Sequence, residues 1–326
     1  MSKLILSRLL QGIVVLLVVS MLTFWLLAAA GGDAVSSLAN ERSVRSERLE
    51  EQRRIYGLDQ PLAVRYVRWL GSIARGEMGK SFISGLPVWP DIRRALGNTL
   101  SLAVVSLVIA WAVALALGSL AARRPRGWLD KLCGALILLA SSTPRIVLAL
   151  GALALAASTS LFNTSSGGER DSATDIILPA FVLAFPLIAL FLAQVRDGLG
   201  TALREEFVQV ARAKGLSERV VVLRHALRAA LNPLITIFGY SLGGLIGGSV
   251  IVESVLNRKG LGELSVMATR SRDVPLIMGI VLVTATAVLL GNLIADILLR
   301  VNDPRLREDE TRRGISAKNI TTSNAA

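Results

Sequence analysis

Residues that could do chemistry are few in this chain, and their spacing rules out most of what they could do. Gly79, Lys80 and Ser81 imitate the end of a phosphate-cradling loop, in which backbone N–H groups and a lysine hold a nucleotide. The full pattern requires a glycine five residues before Gly79; Ala74 stands there instead, and no strand-like run precedes it. A single histidine, His225, cannot assemble a His metal site or a nucleophile–base triad. A single cysteine, Cys133, cannot form a disulfide or a cysteine metal site within one chain. His225 is expected to pack on a helix face and Cys133 to be a small buried residue. Asp296 lies one helical turn from Arg300, so a local ion pair accounts for it better than a proton relay. Glu253 closes a long apolar stretch, where solvent is expected to reach it.

One charge is expensive. Arg145 is the sole basic residue inside the long apolar stretches, about 20 Å along a helix counted from Leu132 at 1.5 Å per residue. An arginine at that depth costs about 2.5–3.5 kcal/mol or more to insert, so it needs water or a partner. Pro144 removes a backbone hydrogen bond, and Ser141, Ser142 and Thr143 can help to satisfy the groups it frees. Two placements stay open. Arg145 lines a water-filled path, with Ser142 beside it, or the helix ends early and the side chain reaches outward to headgroups.

The most informative stretch is the polar loop 204–231. Leu203, Phe207, Val210 and Ala211 recur at spacings that predict one apolar face of a short helix. Gly215 follows Lys214, the expected helix end: a glycine able to turn left-handed after a basic last turn. Ser217 is a good N-cap for a second helix, whose apolar face is predicted through Val220, Leu223, Leu227 and Ala230. Asn232 and Pro233 are expected to turn the chain out of the loop. The result is a stiff elbow with Arg212, Lys214, Arg219, Arg224 and Arg228 against Glu205, Glu206 and Glu218 on its polar side. An amphipathic loop of this kind could also lie on anionic lipid.

These residues need a scaffold, and composition identifies its class. Of 326 residues 52% are hydrophobic and only 18% charged, and mean hydropathy is +0.57; a soluble domain carries about 25% charge spread along the chain. Here the charges cluster. Six segments reach the roughly 20 apolar residues needed to cross a bilayer as a helix: 9–30, 97–122, 132–157, 175–195, 231–252 and 275–299. Backbone groups in lipid must be satisfied within the segment, so helix is the economical choice, and no alternating barrel pattern is present. The first segment is preceded by Lys3 and Arg8 and followed by an alanine run, as a signal peptide would be. Its uncharged core is longer than the about 7–15 residues of a signal sequence, so a retained span is expected.

Basic residues set the orientation. The segments 1–8, 123–131, 196–230 and 300–326 hold 2, 4, 7 and 6 lysines and arginines. The short intervening loops 158–174 and 253–274 hold 1 and 4. The loop 33–96 holds 11, but loops beyond ~60 residues translocate largely regardless of charge. Both termini are therefore expected inside, in the cytoplasm. The net charge of +12 is mainly a topology signal, and a nucleic-acid partner is not expected. Within the outer loop, 46–55 is a charged helix-favouring run and 62–73 is amphipathic, with Tyr66 and Trp69 suited to a headgroup boundary, so a small helical cap is expected there. The tail 308–326 lacks apolar periodicity and is expected to be disordered. Gly239, Gly243, Gly244, Gly247 and Gly248 allow close helix approach, either to a second subunit or within the chain.

The run 209–215 (Gln, Val, Ala, Arg, Ala, Lys, Gly), followed by His225, Arg228, Asn232 and Pro233, resembles the EAA loop of ABC importer permeases. The nearest variant is that of the dipeptide, oligopeptide and nickel subfamily, in its first, B-type, permease subunit. The resemblance runs along nearly the whole chain: Arg8 to Gln11, Gly32-Asp33, Tyr56 to Pro61, Arg65 to Leu70, Gly76 to Ser81, Asn98 to Leu100, Gly260 to Gly262, Arg272-Asp273 and Asp303 to Arg305. There are departures. Gln209 stands where a glutamate is usual, which weakens any role for that position, and Gly31, Ala34, Gly97 and Lys259 replace common prolines.

The resemblance implies an all-α polytopic fold with six spans, a helical periplasmic loop and a cytoplasmic coupling helix. It implies four parts: an N-terminal span 1–32, a periplasmic loop 33–96, a permease core 97–300 with the coupling loop 204–231, and a cytoplasmic tail 301–326. Glu206, Phe207, Gln209, Ala211, Arg212, Ala213 and Gly215 would then engage an ATPase, with Ala211 and Ala213 as packing contacts. Implied partners are a second permease, two ABC ATPases, a substrate-binding protein and lipid; ATP and Mg would be bound by the ATPases, and this chain would not itself be an enzyme. The location implied is a bacterial inner membrane and the cargo a di- or oligopeptide, with a nickel chelate or other small solute as the alternative. A stand-alone secondary transporter would want intramembrane carriers or broken repeat helices, and a membrane protease a buried nucleophile and base. Neither set is visible.

Overall fold

The computed structural model describes residues 2–30, 57, 59–159 and 173–302, and those residues are almost entirely helical. In chain order the elements are α1 (Ser2–Ala29), α2 (Leu62–Ala74), α3 (Trp89–Arg123), α4 (Trp128–Ser142), α5 (Arg145–Thr159), α6 (Ala173–Ala202) and α7 (Glu206–Ala213). Then come α8 (Glu218–Val220), a π-helical turn over Val221–Ala226, α9 (Leu227–Val255), α10 (Leu261–Arg270) and α11 (Val274–Asn302). The fold is that of an all-α polytopic membrane protein. The expected helical run 46–55 and the tail 308–326 lie outside the described residues.

Among the described residues, four helices are long and apolar enough to cross a membrane: Ile5–Ala29, Trp89–Arg123, Ile176–Ala202 and Val274–Asn302. Apolar side chains cover such helices on all sides, since lipid replaces water around them. On α1, Leu6, Leu10, Val14, Leu22 and Leu26 are exposed. Two further bent pairs pass the same test only when each is taken together.

Both bends correct the sequence reading. The segment 132–157 is not one helix: α4 stops at Ser142, Thr143 is extended, and α5 starts at Arg145. The cause is Pro144, which has no N–H to donate and forces the residue before it out of the helical region. The hydroxyls of Ser141 and Thr143 donate back to the Leu138 and Leu139 carbonyls. The other pair bends by 43° between Gly239 and Ser241; Pro233 neither makes that bend nor turns the chain, and lies inside α9. Proline's fixed φ is itself helical, so the cost is one lost backbone bond rather than a stop.

The chain divides into two compact units, with α3, α6, α9 and α11 each contributing to both. The first comprises 1–106, 144–183 and 244–290. Its core gathers Val88, Ile92 and Ala95 with Leu261, Ala268, Leu276, Ile280 and Val283. Gly79, Lys80 and Ser81 sit here leading into a turn over 82–84, with Lys80 bridged to Pro87 on its far side. The Ser81 hydroxyl donates to the Asp273 carboxylate, which also receives the Phe82 N–H at 3.2 Å. The second unit comprises 107–143, 184–243 and 291–326. There Trp111 meets Phe191 and Phe238 at 5.6 and 6.3 Å between ring centroids, and Cys133 is buried. Gly239 admits Ala295: a β-carbon at 239 would stand 2.7 Å from the Ala295 methyl.

Candidate functional site

The elbow is present, with a different inner face from the one predicted. After α6 the chain turns through Leu203 to Glu205 and restarts as α7, so Leu203 is not in phase with that helix. Val208 and Ala211 point inward and join Ala202, Val221 and Ala226 in one cluster. Phe207 and Val210, expected inside, are 44% and 52% exposed. Ala213, Gln209, Glu206 and Arg212 are also exposed. Of the two alanines expected as contacts, Ala211 is used internally and only Ala213 faces outward.

Gly215 ends α7 as predicted. Its φ is +75°, its N–H bonds the Arg212 carbonyl at 2.9 Å, and the Leu216 N–H bonds that of Ala211 at 3.4 Å. This double closure satisfies carbonyls that a helix end otherwise orphans. Ser217 is extended, as an N-cap residue should be, but its side chain makes no capping bond. The π-helical turn then shifts the phase of the second arm. Val221, Val222, Ala226 and Ala230 are buried, while Val220 is exposed and Leu227 only half-buried. His225 is half-buried within that turn.

A forked ion pair spans the corner. Arg212 Nη2 and Nε donate to the two carboxylate oxygens of Glu218 at 2.8 and 3.2 Å. These hydrogen bonds hold the Glu218 carboxyl below its ordinary value and raise the Arg212 guanidinium above its own. Both groups are solvent-exposed, so the pair's worth is orientation across Gly215 rather than stability. Beside the start of α7 opens a cleft of about 590 Å³ whose polar walls are Asp130, Arg196, Asp197, Arg204, Glu205 and Glu206. Arg196 bridges Asp130 at 3.5 Å and Asp197 at 3.3 Å across part of its wall.

Arg145 lies in the other unit. The helix does break beside it, yet the side chain is half-buried and Nη1 donates to the Gly244 carbonyl at 3.1 Å. Gly248 makes room for it: a β-carbon there would overlap the guanidinium. Ser142 is exposed at the end of α4. Of the glycines in α9, Gly248 and Gly239 are used within the chain, while a β-carbon at Gly244 or Gly247 would meet nothing.

Glu253 reverses the sequence expectation, being wholly buried rather than solvated. Its carboxylate accepts the Thr99 hydroxyl at 2.7 Å and the Gly262 N–H at 2.6 Å. Thr99 in turn accepts the Leu261 N–H at 2.8 Å. The first N–H groups of α10, left without partners by any helix start, are thus satisfied by side chains from α3 and α9. The signal in the sequence was the pair of glycines after Glu253: side chains at Gly260 or Gly262 would overlap the carboxylate or the Val250 backbone.

Comparison with known proteins bears directly on this arrangement. Residues 114–308 match the family described as binding-protein-dependent transport system inner membrane component, and residues 1–103 match the N-terminal family of the same systems. The chain is similar to the oligopeptide transport system permease protein AppB of Bacillus subtilis, 35% identical over 316 residues covering 94% of this chain and 99% of that one. It is similar to the oligopeptide transport system permease protein OppB of Mycobacterium bovis, 32% identical over 324 residues with the same coverages. Among solved structures, the inward-facing MetNI methionine ABC transporter shares the fold with a TM-score of 0.54 at 18% identity, over 65% of this chain and 96% of that one.

Proposed function

Because this chain belongs to the family of binding-protein-dependent transport system inner membrane components, and is thus a multi-pass permease subunit of an ABC importer, we propose that it forms part of a pathway for di- or oligopeptides. Its similarity to oligopeptide permeases along almost their full length supports that cargo. The proposed assembly holds this chain, a second permease, two ATPase subunits and a substrate-binding protein. ATP and Mg belong to the ATPases, and the termini of this chain lie in the cytoplasm.

The observation that carries the coupling role is the exposure of Phe207 and Val210 on a helix whose opposite face is packed. Burying two large apolar side chains against a partner is worth about 1.5–3 kcal/mol each before ordering costs. Phe207, Val210 and Ala213 make the apolar contact; Glu206, Gln209 and Arg212 orient its rim; Ala211 and Gly215 keep α7 rigid enough to transmit a push. Arg145, with Ser142, is the proposed pathway pair: a carboxylate of a passing peptide would meet the part of the guanidinium not engaged by Gly244. Reconstituting the complex with its binding protein tests the whole reading. Identification of peptides as the co-purified, ATP-dependently imported solute supports it, and a nickel chelate in that place refutes the cargo.

A further inference from the structure

Among the described residues between α1 and α3, α2 packs against α1 through a defined set of contacts. The Tyr66 hydroxyl, on α2, lies 3.0 Å from the Ser20 hydroxyl and donates to the Leu17 carbonyl at 3.3 Å. Leu17 is the midpoint of the Ile5–Ala29 span, and Ser20 lies about 4.5 Å further along the helix at 1.5 Å per residue. The phenol therefore reaches into the hydrocarbon depth of α1. Phe24 touches the Tyr66 ring at 5.6 Å and carries Arg65 over its face at 5.7 Å. Trp69 stacks on Tyr66 at 6.0 Å. These contacts hold α2 beside the half of α1 that ends at Ala29.

Only part of the apolar side of α2 is covered. Tyr66, Leu70 and Ile73 are half-buried, whereas Leu62, Val64 and Val67 are 40%, 46% and 66% exposed. At helical spacing Val67 shares one uncovered stripe with Ala63 and Ala74, while Leu62 falls in phase with Tyr66 and Ile73, and Arg68 and Arg75 lie along the polar edge of that stripe. We propose that α2 is an interfacial helix seated in the boundary of the leaflet at the Ala29 end of α1, with Ala63, Val67 and Ala74 against lipid acyl chains. Arg68 and Arg75 reach the phosphates of the same leaflet. An amphipathic helix with basic residues on its polar side has this mode of binding open to it. Tethered to α1 through Tyr66, it anchors the loop to the membrane instead of letting it stand in water.

Spin labels test this in the full complex reconstituted in bilayers, on a Cys133→Ala background. Val67→Cys is the probe position, Val14→Cys, 59% exposed near the middle of α1, the lipid reference, and Glu77→Cys, exposed just past α2, the aqueous one. The label at 67 is expected to collide with oxygen several-fold more readily, relative to a water-soluble nickel chelate, than the label at 77, approaching the label at 14. A ratio equal to that at 77 overturns the proposal, because the face is then in water. Low collision with both reagents overturns it too, because protein then covers the face. Ala74→Cys, on the same face and also exposed, repeats the reading if Val67→Cys does not assemble.

Discussion

Thr99 and Glu253, 154 residues apart in the chain, share a hydrogen bond of 2.7 Å inside the protein, and together they cap the first turn of α10. Removing one member strands the others, because a buried donor without an acceptor forfeits about 1–3 kcal/mol. Glu253→Ala is therefore expected to cost more than Thr99→Val, since it orphans the Thr99 hydroxyl and the Gly262 N–H at once. Thermal unfolding of the purified complex measures both. Equal, near-wild-type midpoints would show that the carboxylate holds nothing.

Space makes a second, sharper demand at the same place. A methyl group at Gly262 would overlap the Val250 backbone, and one at Gly260 the Glu253 carboxylate. Backbone cannot swing aside as a side-chain tip can, so Gly262→Ala is expected to reduce assembled permease in membranes more than Gly260→Ala does. Quantitative immunoblotting of the inner-membrane fraction ranks them. The reverse order would mean that the carboxylate, not the Val250 backbone, is the rigid partner.

Long apolar runs announce a membrane helix without any knowledge of its neighbours, which is why most spans were legible in the sequence. Phase was not. Phe207 and Val210 follow the spacing of a buried face, yet the break at Leu203 to Glu205 restarts the helix and turns Val208 inward instead. The π-helical turn does the same to Val220 and Val221. Glu253 was misplaced for another reason: a carboxylate is solvated or buried according to donors that come from distant segments, here Thr99 and Gly262. Gly215 needed no such partner, and its left-handed turn was readable from the chain alone.

The two faces of α7 should separate by mutation. Ala211→Leu forces a larger side chain into the cluster with Val208 and Val221, and overpacking costs about 1–3 kcal/mol. It is expected to lower the amount of folded permease. Val210→Asp adds a charge to an exposed position and should leave folding intact while lowering ATPase co-purification and transport several-fold. If Val210→Asp retains both ATPase and transport, α7 docks through some other surface.

Gly215 offers a backbone test of the same elbow. A non-glycine residue in a left-handed conformation costs about 1–2 kcal/mol, and asparagine tolerates it better than alanine. Transport per ATP hydrolysed should then fall in the order wild type, Gly215→Asn, Gly215→Ala, Gly215→Pro, with proline worst because it cannot adopt φ +75° and has no N–H for the Arg212 carbonyl. Equal coupling ratios in all four would remove the corner from the mechanism.

Acidity probes the ion pair that braces this corner. Arg212 lowers the Glu218 carboxyl below its ordinary value, so ionised Glu218 is favoured more in the folded elbow than in the unfolded chain. The brace is therefore complete above the unfolded value of about 4.3 and is lost as pH falls through the lower folded value. Across neutral pH no change is expected from this pair. Protection of the Gly215 and Leu216 amides, taken against the intrinsic exchange rate at each pH, should fall only in the acid range for the wild type, and should already be lower at neutral pH for Glu218→Gln, which keeps size but loses the charge. Exchange in Glu218→Gln as slow as in the wild type at neutral pH would show that the backbone closure at Gly215 orders the corner without help from Arg212.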